Sequence, residues 1–196
     1  MNISWFLFKC DFIRFVKRNY LKFIFAGILF VLSVVLAVRS AVTLTELNDY
    51  FENKGSALYA YLRGDGSLFS LVFVVLLEYV VLIAIIFACS YNDLSLLFSF
   101  GVVMYKSYKY IYDTVVIIRY YSIKALPFGI LYLALAIIAI AALVCMISGV
   151  MNSQCRYRYG LRELCNLAVQ CIPFFMIFLV LYLLQILIVC FGCIFI

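Results

Sequence analysis

The sequence predicts an all-α fold: a polytopic transmembrane helical bundle of about five spans, preceded by an N-terminal interfacial helix. Three observations predict it. Of the 196 residues, 69% are apolar and only 12% charged, with a mean hydropathy of +1.19. Ordinary globular domains carry about 45–50% apolar and about 25% charged residues, so a water-soluble fold of this length cannot hide so much apolar surface. The apolar residues also fall into runs of roughly the 20 residues that one bilayer-crossing helix needs. Finally, the net charge of +6 is concentrated at the start of the chain, as a topology signal would be. Residues 1–196 therefore read as a single membrane domain, multi-pass in the cell membrane, with the lipid bilayer as its first partner. Disorder, a disulfide scaffold and a collagen-like fibre are excluded by the same composition.

The leader, residues 1–20, reads as a cytoplasmic amphipathic helix. Trp5, Phe8, Phe12, Phe15 and Val16 share one face at 3.6-residue spacing, opposite Asp11, Arg14, Lys17 and Arg18. A cleaved signal peptide fits less well, because the charged leader is long and Arg39 interrupts the region where a cleavage site belongs. The first span is expected over 21–38. Residues 43–67 form the one sizeable hydrophilic stretch, with Glu46, Asp49 and Glu52 against Lys54 and with glycines at 55, 64 and 66. A basic leader before an acidic loop places the N-terminus in the cytoplasm and that loop outside. Thr45, Leu47 and Tyr50 suggest a short surface helix within it.

The second span, 68–89, carries Glu78 near its middle. Residues 94–121 are ambiguous. They are long enough to cross, yet Ser99, Lys106, Lys109, Tyr110 and Asp113 share one helical face. Kept in the cytoplasm as an amphipathic helix, this segment gives four spans; crossing, it gives five and a C-terminus outside. Apolar length on both sides of the stripe favours five. The fourth span, 126–149, opens at a Leu126-Pro127-Phe128-Gly129 turn, where Pro is cheap in the first helical turn and Gly129 permits a close helix approach. The last span is expected over 168–196.

Glu78 is the sharpest chemical feature, because a carboxylate at mid-bilayer is costly and usually faces the bundle interior with a partner. Lys106 and Lys109 are the nearest candidate cations, with Asp113 on the same stripe. Two interpretations stand side by side: an ion-handling site, or a structural Glu–Lys clasp. If the stripe is interfacial instead, its Tyr/Lys alternation is simply an aromatic belt with snorkelling lysines. Histidine is absent from the sequence, which removes imidazole ligands and the usual general base. Among the eight cysteines, Cys190 and Cys193 make a CxxC inside an apolar run, without the positive surroundings that redox chemistry favours. Cys155 and Cys165 lack zinc-site spacing. No enzyme activity, metal, cofactor or nucleic-acid partner is expected.

The order of features (FVKRNYLKFIFAGILFVLSVVLAVRSAV, an acidic loop, a second span, SFGVVM, then LPFGILYLALAIIAIAAL, a basic loop and a final span) resembles the stage II sporulation protein M family of integral membrane proteins. The resemblance covers most of the chain as a pattern and is motif-like only over 126–131. It implies a non-enzymatic membrane anchor that binds partner proteins at or outside the membrane, cell-wall-remodelling enzymes as in sporulation engulfment. In that role the external loop would dock the partner through Glu46, Asp49, Tyr50, Phe51 and Glu52, with Tyr59 and Tyr61 nearby, because aromatic anchors with a charged rim suit protein docking. The alternative is a membrane subunit of a small-molecule transporter or exporter that uses Glu78 with Lys106 and Lys109.

Overall fold

The computed structural model describes residues 13–45, 47, 57–89, 93–154 and 176–192, and the described residues contain helices and turns but no strand. A helical turn over 13–18 breaks at Asn19 and leads into α1, Tyr20–Val42. Asn19 is buried, its amide donating to Phe15 O at 2.9 Å and its oxygen accepting from Lys22 Nζ at 2.9 Å. The described end of the leader is thus joined to α1; Trp5, Phe8 and Phe12 lie outside the described residues. The 23 residues of α1 extend about 34 Å at 1.5 Å per residue, enough for a hydrocarbon core of roughly 30 Å. Ala26, Ser33, Ala37 and Ala41 are buried along one stripe, while Ile24, Ile28, Val31, Leu32 and Val35 are exposed on the rest of the surface. Small residues on the packed stripe let another backbone come close.

The hydrophilic loop contributes α2, Ala57–Leu62, with Leu58, Tyr59 and Leu62 buried. Two glycines end it. Gly64 adopts φ +84°, and a Cβ on Gly66 would lie 2.7 Å from Tyr61 N, so the chain can fold back onto Ala60 O, which accepts from Asp65 N and Gly66 N at 3.0 and 2.9 Å. Ser67 then caps the next helix, its Oγ accepting from Ser70 N at 3.1 Å. That helix is α3, Leu68–Cys89, whose buried residues Leu71, Val75, Tyr79, Leu82 and Ile86 recur every three or four positions.

The ambiguous segment forms α4, Asp93–Tyr121, at the centre of the molecule. It packs on α1, α3 and α5, and its buried set runs from Ser99 to Ile117 and includes Lys106 and Asp113. A 3-10 turn, Ser122–Ala125, with Ser122 at φ +59°, reverses the chain into α5, Leu126–Gln154. The last described helix is α6, Met176–Gly192. By length and composition, Tyr20–Val42, Leu68–Ile86 and the helical stretch Phe98–Met151 are long and apolar enough to cross a membrane; α6 is apolar but shorter.

Contacts fix the directions of the helices. Phe25 meets Phe100, Ser33 Oγ donates to Met104 O, and Arg119 donates to Ala41 O, so α1 and α4 run parallel. Tyr59 and Leu62, just before α3, meet Asp113 and Tyr121, so α3 starts at the far end of α4 and runs back along it. Gly129 lies against Ile118 and Thr114, which makes α4 and α5 an antiparallel hairpin. Phe178 beside Tyr79 and Cys190 beside Tyr61 set α6 antiparallel to α3. Thus α1, α4 and α6 point one way, α3 and α5 the other, and α2 sits at the end where α4 turns into α5.

Candidate functional site

Three side chains picked out by the sequence come together. Glu78 Oε2 accepts from Lys109 Nζ at 2.7 Å, and its Oε1 lies 3.0 Å from Lys106 Nζ. The offset of three between the two lysines puts both on the face of α4 that α3 covers. Lys106 is 2% exposed, so its charge needs more than one neighbour. Its ammonium lies 4.4 Å from the centroid of the Tyr79 ring and 5.2 Å from that of Tyr110. Two phenol faces and one carboxylate therefore replace water around it.

Those same phenols begin a neutral network. The Tyr79 and Tyr110 hydroxyls are 3.0 Å apart, and both approach Gln185 Oε1, at 3.2 and 2.9 Å. Gln185 Nε2 donates to the Tyr132 hydroxyl at 3.2 Å. Helices α3, α4, α5 and α6 thus meet through one hydrogen-bonded centre. Tyr132 is stacked on Phe128 at 5.4 Å, and a Cβ on Gly192 would lie 2.5 Å from that Phe128 ring, so α6 reaches the centre only because position 192 carries no side chain.

Asp113, one turn beyond Lys109, is buried and its Oδ1 accepts from the Tyr59 hydroxyl at 2.5 Å, while Oδ2 has no hydrogen-bond partner. Between Asp113 and Glu78 runs a cleft of about 30 Å³ whose polar lining is Glu78, Lys109, Asp113, Tyr132 and Gln185. Leu71 and Val75 of α3, Val189 of α6 and Ala57 and Leu58 of α2 wall it. At roughly 10–15 Å³ per water centre, it has room for about two waters and for no organic solute. Two carboxylates and two ammonium groups leave the assembly with no net formal charge.

The other sequence candidates fall apart from this centre. Ser99 is buried two turns earlier, with Oγ unpartnered. Leu126 is exposed and Pro127 stands in the first turn of α5, while Gly129 allows the contact with α4, a Cβ there lying 2.8 Å from Ile118 Cδ1. Glu46, Asp49, Tyr50, Phe51 and Glu52 lie outside the described residues, as do Cys155, Cys165, Cys193 and most of the suggested surface helix. Of the two aromatic residues named beside them, Tyr59 is withdrawn from the surface and Tyr61 is half-buried. Tyr59 is buried against Asp113, and Tyr61 approaches Cys190 Sγ at 3.6 Å. The belt interpretation of the Tyr/Lys stripe also fails for Lys106 and Tyr110, both of which are buried.

Tyr79, Tyr132, Gln185 and the Tyr59–Asp113 bond are the members that the sequence reasoning did not assemble. Gln185 carried a usable signal, because it is the one amide in the apolar helix Met176–Gly192, and polar side chains in such helices turn toward other helices. Among the described residues no group of His, Cys, Asp and Glu is placed to hold a metal ion. No family model matches the chain, and no curated protein or solved structure is found to be similar to it.

Proposed function

We propose that this chain is a multi-pass membrane protein with five spans, a cytoplasmic N-terminus and no catalysis of its own, and that it serves as a transport component for protons or an ion-sized solute. One observation carries the proposal: Glu78 is held between Lys106 and Lys109 halfway along α3, beside a water-sized cleft that reaches a second buried carboxylate. Charged groups at this depth are expensive, and they mark ion and proton pathways when they line a cavity. The size of the cleft speaks for an ion-sized solute rather than an organic one. Five spans are supported by the alternating helix directions and by the burial of Lys106 and Asp113, which a surface-lying α4 would leave wet. The test is flux of protons and monovalent cations in proteoliposomes of the purified chain, with Glu78→Gln beside the parent. The reading needs a flux in the parent that Glu78→Gln removes, and a parent as tight as empty vesicles overturns it.

The partner-binding anchor keeps support from one feature. The buried charges balance one another, as they would in a clasp whose only task is to fix a helix arrangement. On that reading the 43–67 loop docks the partner, cell-wall-remodelling enzymes if the family resemblance holds. Replacing Tyr50 and Phe51 with Ala would then lose co-purifying proteins, while Glu78→Gln would keep them.

A further inference from the structure

Asp113 and Glu78 both line the cleft, and each has one carboxylate oxygen without an aligned hydrogen bond. Asp113 Oδ2 is one, on a residue only 5% exposed; Glu78 Oε1 is the other, ion-paired with Lys106 but not aligned for a hydrogen bond. A buried acceptor left without a donor is unfavourable, and water is the donor that fits. We infer that Asp113 is an internal proton-binding site, linked to Glu78 through water held in this cleft and positioned by the phenol of Tyr59. The inference rests on the transport reading for its purpose but not for its chemistry.

The geometry selects the ligand. Each water brings two donors, and the cleft has room for about two waters, enough to supply the donor that Asp113 Oδ2 lacks. A metal ion needs several oxygen ligands at once and would stand beside the Lys106 and Lys109 ammonium groups, which already hold both oxygens of Glu78. A proton differs in where it lands. Both ammonium groups within ion-pair distance are spent on Glu78, whereas Asp113 has one phenol donor at 2.5 Å and a second oxygen with no hydrogen bond. Protonating Glu78 would strand two buried cations; protonating Asp113 strands none. The titratable groups around Asp113 are Tyr59 from α2, Glu78 from α3, Lys106 and Lys109 from its own helix and Tyr132 from α5; α6 brings Gln185, which does not titrate.

The step balances without a co-reactant. Uptake forms an O–H bond at Asp113 Oδ2 and breaks one on the adjacent hydrated proton, which leaves as water. Release breaks the Asp113 O–H bond and forms one on the cleft water, which carries the proton on, while Glu78 stays a carboxylate ion-paired with both lysines. Because α2 both walls the cleft and supplies Tyr59, the proton site is tied to a helix of the hydrophilic loop.

Infrared difference spectroscopy on acidifying the full chain in lipid nanodiscs, in ordinary and heavy water, tests this independently of any flux. A carboxylic-acid carbonyl band that shifts in heavy water is expected in the parent, absent from Asp113→Asn, kept in Glu78→Gln and displaced in Tyr59→Phe, where the carboxyl has lost its phenol. Variants are compared only after each elutes as the parent does on gel filtration, and Asp113→Ser stands in if the asparagine variant does not. A band that survives in both Asp113 variants, or that sodium at constant pH abolishes, overturns the inference even where Glu78-dependent flux exists. A band lost with Asp113 in a chain that carries no flux upholds the proton site and removes the transport reading instead. Where there is proton flux, Asp113→Asn is expected to lower it by roughly a hundredfold, the low end of what a positioned proton-transfer group contributes.

Discussion

Helix α4 holds its neighbours by opposite means on two of its sides. Toward α1 it meets a stripe of small residues, Ala26, Ser33, Ala37 and Ala41, and the polar links there are few: Ser33 Oγ donates to Met104 O at 3.1 Å, and Arg119 reaches across at one end. Toward α3, α5 and α6 it offers Lys106, Lys109, Tyr110 and Asp113, each with a polar or charged partner. In lipid the hydrophobic effect does not press helices together, so close van der Waals contact has to hold the first side. The second side spends desolvation on charges that an apolar seam would not need. A bundle needing only to stay assembled would be served by two seams of the first kind. The transport proposal rests on this contrast.

Deleting the shared anion is the largest way to break this comparison. In Glu78→Ala, Lys106 keeps its charge at 2% exposure with only ring faces beside it, and a buried pair broken on one side costs about 3–5 kcal/mol. Unfolding by a denaturing detergent, followed by helix content, measures it. The triple replacement of Glu78, Lys106 and Lys109 by Met is expected to recover most of that loss, because apolar side chains of similar volume often replace a buried ion set without cost. A triple variant that stays as unstable as Glu78→Ala would mean the charges are needed for assembly and would erase the contrast.

The seam breaks by crowding. Ala37 is fully buried against its neighbours, so Ala37→Leu is expected to cost about 1–3 kcal/mol by forcing α1 away from α4. Leu36→Ala, beside it on the exposed surface at 44%, should stay within about 0.5 kcal/mol. The same detergent titration reads both, and equal losses would show that the stripe is not the packed side. Gly192→Ala crowds the polar side in the same manner. Its Cβ would press on the Phe128 ring, stacked under Tyr132, so about 1–2 kcal/mol is expected, along with a changed near-ultraviolet tyrosine signal that Ala37→Leu leaves alone.

How far the sequence could be read follows the same division. Hydropathy found the helices α1, α3, α4 and α5 and the described part of the last, with ends that the structure moves by a few residues: α1 reaches Val42 rather than 38, and α5 reaches Gln154 rather than 149. Spacing on a single helix put Lys106, Lys109 and Asp113 on one face, and the cost of Glu78 demanded a partner for it. Periodicity says nothing about which helices meet, so Tyr79, Tyr132 and Gln185 stayed unconnected until α3, α5 and α6 were seen around α4. Tyr59 misled for a different reason. It lies in a hydrophilic stretch, where an aromatic residue reads as surface, but the double turn at Gly64 and Gly66 folds its helix onto the bundle.

The smallest expected effect sharpens the comparison at the end of the seam, where a charge does appear. The last carbonyls of α1 have no intrahelical donors. Thr43 Oγ1 donates back to Arg39 O at 2.9 Å, and the Arg119 guanidinium donates to the carbonyls of Ala41, of Val42 at 3.2 Å and of Leu44 at 3.3 Å. A cation at a helix C-terminus is favoured by the dipole, but partial exposure and screening keep its worth to roughly 0.3–1 kcal/mol. Arg119→Ala should therefore barely move the global unfolding curve while raising amide exchange over residues 41–44. Arg119→Lys should restore only part of the protection, because a lone ammonium lacks the fork that spans several carbonyls. Unchanged exchange in Arg119→Ala would mean that packing alone closes the seam. A large global loss would mean that this exposed charge carries as much as the buried ones, and the two sides of α4 would then differ in composition but not in mechanism.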